Sequence, residues 1–294
     1  NNVRPTMSPV ERPMVPITEN KIYFLPDAEM QQAKVYFLID GEPYNVKDAV
    51  NYMAFNEYFG GGFSGLVMNE IREKRSMAYN AYGYFSRPPK QGQMTKFVGY
   101  VGTQSDKVAD AIDVYMSLLD SMPQYPETME NIRTVLRQSV LSNKPTFRNK
   151  SQRLTANMLM GYKVDPAMLQ VRDIQRLTFD NVLSFYQSRI QGKPITILIM
   201  GDPKLINQKQ IQAKHGKITK LNKSRLFSYW SPRNRTITKR HLCYKHRWRF
   251  ACNIQNSTFI KIAFPCTVLI PLGLKTKEEP KTNQGGTKEC QITD

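Results

Sequence analysis

Two hydrophobic periods divide this chain. One repeats every second residue and the other about every 3.6, and they alternate over roughly the first 200 positions. Residues 21–25 (KIYFL) and 33–39 (AKVYFLI) read as strands, the second strongly. Asn45 is suited to cap a helix over 46–58. Residues 97–101 read as a further strand, in which Gly99 is a candidate point of close approach. Ser105 and Asp106 open a helix whose stripe is Val108, Ile112, Met116 and Leu119, and Pro123 stops it. A helix over 126–142 turns Met129, Ile132, Val135, Leu136 and Val140 toward a core, and another spans 148–160. Thr178 caps a helix with Phe179, Val182, Leu183 and Tyr186 inward, and Gly192 ends it. Residues 195–200 form a continuous apolar run, hence a buried strand, closed by Gly201 and Asp202.

These elements are organised around residues 56–85, NEYFGGGFSGLVMNEIREKRSMAYNAYGYF. Three consecutive glycines, Gly60, Gly61 and Gly62, cannot continue a helix cheaply and allow a tight reversal. Phe63, Leu66, Val67, Met68 and Ile71 then recur at helical spacing, which predicts an amphipathic helix over 64–75. Arg72, Lys74 and Arg75 lie in its last turn, where cations suit the helix dipole and a solvated helix end is the default reading. Residues 78–85, aromatic with small residues between, read as a strand. A guanidinium at Arg72 and a phenol at Tyr79, seven positions apart, can converge on one acceptor oxygen. GGGFSG is not a phosphate loop, because it lacks the Gly-Lys-Ser/Thr ending.

The segment FGGGFSGLVMNEIREKRSMAY resembles the pitrilysin/insulinase-type zinc metallopeptidases, which include the mitochondrial processing peptidase. The capped helix, buried strand and Gly-Asp of 173–202 resemble that family too, and the likeness extends over about residues 22–229. It implies that Arg72 and Tyr79 belong to the half that does not bind zinc. There they would face a zinc-bearing half across a closed chamber and bind the substrate backbone near the scissile bond. It also implies zinc in the complete enzyme, a zinc-bearing half on the same or a separate chain as partner, and a peptide as substrate. The family's zinc motif, H-x-x-E-H, is absent from this sequence.

The fold expected is α+β: an antiparallel-rich sheet with helices packed mainly on one face, since the element order lacks the strand–helix–strand alternation of a parallel sheet. Residues 1–19, with four prolines, read as a lead-in linker, 20–229 as the peptidase-type domain and 230–294 as an extension. All four cysteines and both tryptophans fall in that extension, which carries 12 basic and 4 acidic residues. Its H-x-C-x-x-H at His241, Cys243 and His246, with Cys252 nearby, lacks the paired spacing of zinc sites, and His215 stands alone on a loop. No metal ligand set and no bound cofactor is assigned to this chain. The basic, aromatic run over 233–250 resembles single-strand nucleic-acid segments, but an extension without a selected role is the default.

Charge is +18 over 294 residues, with 40% hydrophobic and 22% charged positions, a globular composition. No apolar run reaches the ~18 residues of a membrane span. The first residue is Asn1 rather than Met, which suggests a piece of a longer protein, from a cell envelope or an organelle, and leaves the compartment open. Two alternatives stand beside the peptidase reading: a non-catalytic scaffold of the same fold, and a nucleic-acid-binding protein acting through the tail.

Overall fold

The computed structural model describes residues 15–62 and 64–222. The tail's histidines, cysteines and basic run, the boundary near residue 229 and Phe63 lie outside them. Six strands form one sheet: β1 (Lys21–Pro26), β2 (Ala33–Pro43), β3 (Ala78–Ser86), β4 (Met94–Thr103), β5 (Thr196–Gly201) and β6 (Ile218–Lys220). Their order across the sheet is β3-β4-β2-β5-β1-β6. β4 runs antiparallel to β3 and β2, and β2 runs antiparallel to β5. β1 is parallel to both β5 and β6, so the far side of the sheet is parallel. The antiparallel-rich expectation therefore holds, with one parallel corner that element order could not supply.

Eight helices accompany the sheet among the described residues: α1 (Ala49–Gly60), α2 (Leu66–Met68), α3 (Val108–Asp120), α4 (Met129–Ser142), α5 (Lys150–Leu159), α6 (Pro166–Gln175), α7 (Phe179–Arg189) and α8 (Gln208–His215). Buried residues of the helices join one cluster with Phe24, Val35, Phe37, Phe85, Phe97, Val101 and Ile199 from one face of the sheet. The opposite face contributes a smaller cluster of strand residues, Tyr23, Leu25, Leu38, Val98, Leu198 and Met200, which contains no helical side chain. Alternation along each strand thus separates the two faces, as the period of two requires. Ile17 packs on the second face and its amide donates to Asp40 Oδ2 at 2.6 Å, so the end of the lead-in is tied to the sheet.

α1 packs on β3, and α3 packs on β2 and β4. Tyr115 of α3 stacks on Phe37, with ring centroids 4.0 Å apart, and its hydroxyl donates to the Tyr82 carbonyl at 3.0 Å. That approach needs a glycine beneath it. A Cβ on Gly99 would enter the Tyr115 ring, which confirms Gly99 as a close-approach point. Asn56 fastens α1 to β3 by accepting from the Phe85 amide and donating to its carbonyl.

Candidate functional site

Arg72 and Tyr79 are set by a short relay of backbone features. α1 ends at Gly60, which lies so close to β3 that a Cβ there would collide with the Gly83 carbonyl. Of the three glycines only Gly62 has a positive φ, 57°. The reversal therefore uses one glycine for its conformation and another for close approach. The helix expected over 64–75 is not a regular α-helix. One α turn, Leu66–Met68, leads into a π-helical turn over Asn69–Glu73. The Lys74 amide closes it onto the Asn69 carbonyl at 2.9 Å. Single π turns widen the helix by one residue and recur at functional positions.

The π turn buries Glu70, whose side chain is 7% exposed. Lys74 Nζ reaches Glu70 Oε1 at 2.6 Å and Arg75 Nη1 reaches Oε2 at 2.7 Å. Tyr125 Oη also donates to Oε1, at 3.4 Å. Burial would push the Glu70 carboxyl up, but hydrogen bonds and charge from Lys74 and Arg75 outweigh it and hold it below the usual carboxylate range. The basic cluster is solvated, as expected, but two of its three cations also serve Glu70. Sequence reasoning missed Glu70, because a carboxylate among cations on a helix reads as a surface charge run.

Arg72 lies in the same turn, half-exposed, with Nε 3.6 Å from Glu73 Oε1. Between it and the strand, Ser76 takes φ 49°, a left-handed conformation that is rare outside glycine. The Ser76 amide returns to the Arg72 carbonyl at 2.8 Å and the Met77 amide to the Ile71 carbonyl at 3.0 Å. Thr103 Oγ1 donates to the Met77 carbonyl at 2.5 Å, pinning the turn to β4.

Tyr79 then falls on a register shift. Ala78 pairs with Thr103 and Asn80 with Gly102, so Tyr79 is the extra residue of a β-bulge. Without it, Tyr79 would share the inward face of Ala81 and Phe85. With it, Ala78 is buried and Tyr79 is 69% exposed. β3 is an end strand of the sheet, and among the described residues no strand pairs with its outer edge. The expected pair thus sits at the two ends of one clamped turn beside an open sheet edge. Neither residue lines the small hollow formed by Tyr44, Tyr52, Asn56, Phe85 and Arg87.

No group of three or more His, Cys, Asp or Glu side chains among the described residues could hold a metal ion. His215 is not on a loop. It ends α8, with Nε2 2.6 Å from Asp113 Oδ1 of α3. Nor is any described helix long and apolar enough to cross a membrane.

Residues 4–138 match the family described as the peptidase M16 inactive domain. Over that stretch the chain is similar to a peptidase M16 inactive domain. A relative described as an uncharacterized zinc protease, YmxG of Bacillus subtilis, is 21% identical over 132 residues, 45% of this chain and 32% of its own. A solved peptidase M16 inactive domain from Pseudomonas fluorescens superposes with TM-score 0.54 at 18% identity, over 67% of this chain and 46% of its own. A Helicobacter pylori protease gives TM-score 0.55 at 12% identity, over 68% and 48%. The periplasmic protease PqqL of Escherichia coli gives 0.52 at 15%, over 67% and 22%. At these identities the solved structures establish the α+β fold. The chain spans about a third of the curated relative and less than half of each of these solved chains.

Proposed function

We propose that this chain is the substrate-binding, non-zinc half of a zinc metallopeptidase, supporting peptide-bond hydrolysis by a zinc-bearing half on the same or another chain. The observation that carries this is the placement of Arg72 and Tyr79 at either end of a clamped turn beside an unpaired sheet edge, within the stretch similar to a peptidase M16 inactive domain. The sequence lacks H-x-x-E-H, and the described side chains form no group of metal ligands. The metal belongs to the partner half. What this chain offers is donors. A phenol and a guanidinium can hydrogen-bond the carbonyl oxygens of an extended peptide, and an open strand edge suits that conformation.

The test is turnover of a peptide by the enzyme reconstituted with a zinc-bearing half. Tyr79→Phe keeps the ring and removes the donor, and loss of such a donor costs about 10²–10³ in kcat, or roughly 3–4 kcal/mol. Arg72→Lys keeps the charge and loses the planar fork, so it should also impair turnover. Thermal stability should hold for Tyr79→Phe, because the side chain is exposed. Full turnover by Tyr79→Phe would overturn the role and leave the scaffold reading. The nucleic-acid reading rests on the tail, outside the described residues.

A further inference from the structure

Of the eleven large hydrophobic side chains that are exposed among the described residues, seven fall between Leu141 and Met168. They are concentrated around α5. On this helix Arg153 and Asn157 are only half-exposed and Met160, at its C-cap, is buried, so one stripe at spacings of four and three faces the body. Arg153 Nη1 donates to Asn143 Oδ1 at 2.8 Å. Leu154, Met158 and Leu159 point the other way, 62%, 66% and 49% exposed. Phe147, 79% exposed, precedes the helix, and Val164 and Met168 follow it. The helix has turned its polar stripe inward and its apolar face out. An isolated soluble domain has no reason to do this, and a concentration of exposed apolar side chains marks an interaction surface.

Charge argues for the occupant. Residues 141–168 carry five basic side chains, Lys144, Arg148, Lys150, Arg153 and Lys163, against one acidic, Asp165. The basic tail, 12 against 4 over 230–294, would be repelled by that rim. A second copy would present the same basic rim to itself. The Pseudomonas fluorescens and Helicobacter pylori chains each have more than half their length beyond this fold, so such domains occur beside a comparable second body.

Resting on the function proposed above, we propose that the outward face of α5 is where the zinc-bearing half docks, through an apolar patch ringed by acidic residues. Leu154 and Met158 are its centre, and Lys144, Arg148, Lys150 and Lys163 are its rim.

The probe is a purified polypeptide of the same genome that contains H-x-x-E-H, titrated with the full chain by calorimetry and sedimentation. Leu154→Glu/Met158→Glu should weaken binding about 100-fold. The melting temperature of the chain alone should stay put, because both positions are exposed. Lys150→Glu/Lys163→Glu should weaken it about 10-fold at low salt, and less at high salt. Tyr79→Phe should bind normally, which separates docking from substrate contact. Equal binding by the double glutamate variant overturns the surface alone. If the unaltered chain binds no zinc-bearing half, the surface and the function it rests on fall together. A homodimer dispersed by the double substitution would assign the face to a second copy. Faster hydrogen exchange of α5 on removing residues 230–294 would assign it to the tail.

Discussion

α3 and α5 are both strongly amphipathic, and they meet the body in opposite senses. α3 buries Val108, Ile112 and Leu119 of the apolar stripe legible in its sequence, with Met116 only partly covered and Tyr115, which the stripe did not include, fully buried. α5 buries no residue of its own and offers Arg153 and Asn157 inward while Leu154 and Met158 face out. Periodicity reports how well two faces are separated. It does not report which face the chain itself covers. That depends on what lies against the helix, and for α5 no other described element makes extensive contact.

The comparison breaks most visibly by truncation. Ile112→Ala, at a fully buried position, should cost about 2–5 kcal/mol in urea unfolding of the isolated chain. A loss below ~1 kcal/mol would mean the α3 contact is loosely packed. The segment carrying Arg72 lies between the two cases, since its inward group is a carboxylate. Glu70→Gln should cost about 1–2 kcal/mol at neutral pH, discounted because Lys74 and Arg75 are partly solvated. The folded state holds the Glu70 carboxyl below its ordinary 4.5, so its contribution is full above that pH and is lost as pH falls through the lower folded value. Glu70→Gln should therefore flatten the acid limb of stability against pH. An unchanged limb would show that other carboxylates govern it.

Ser76→Gly should stabilise the chain by about 0.5–1 kcal/mol, because glycine relieves the left-handed strain. A destabilisation would show that hydrogen bonds of the serine side chain hold the turn. Leu154→Ala should have the smallest effect, within about 0.5 kcal/mol on the isolated chain. A cost above ~2 kcal/mol would place Leu154 in the chain's own core and remove the contrast with α3.

Much of this was readable from residues. The buried run of β5 and the helix begun at Thr178, whose amide donates to Asn181 Oδ1 at 2.9 Å, rest on local pattern. The roles proposed for Arg72 and Tyr79 rest instead on the family resemblance of one contiguous segment, residues 59–79. The missed features are those made by distant contact. α6, α8 and β6 are short and weakly patterned, and docking on larger elements fixes them. The π turn and the bulge each insert one residue into a regular ladder. Their cause, Glu70 meeting Tyr125 and β3 meeting β4, is tertiary.

The parallel corner of the sheet has a consequence for how this chain is born. β1 emerges first, yet its partners are β5 and β6, and Asn20 meets the Ile195 amide across 175 positions. At about 5–20 residues per second, a ribosome leaves Ile22–Leu25 without a partner strand for on the order of 10–35 seconds. β2, β3 and β4 can form their antiparallel three-stranded unit, with β4 in the middle, in that interval, and α1 can be laid across it. The first strand must wait, apolar and unpaired, and closing it between the last two strands completes the sheet. This is a late, non-local and slow event of the kind that high contact order predicts. The vulnerable species in the synthesis of this domain is therefore a nearly finished sheet, open at the place where its beginning and its end must meet.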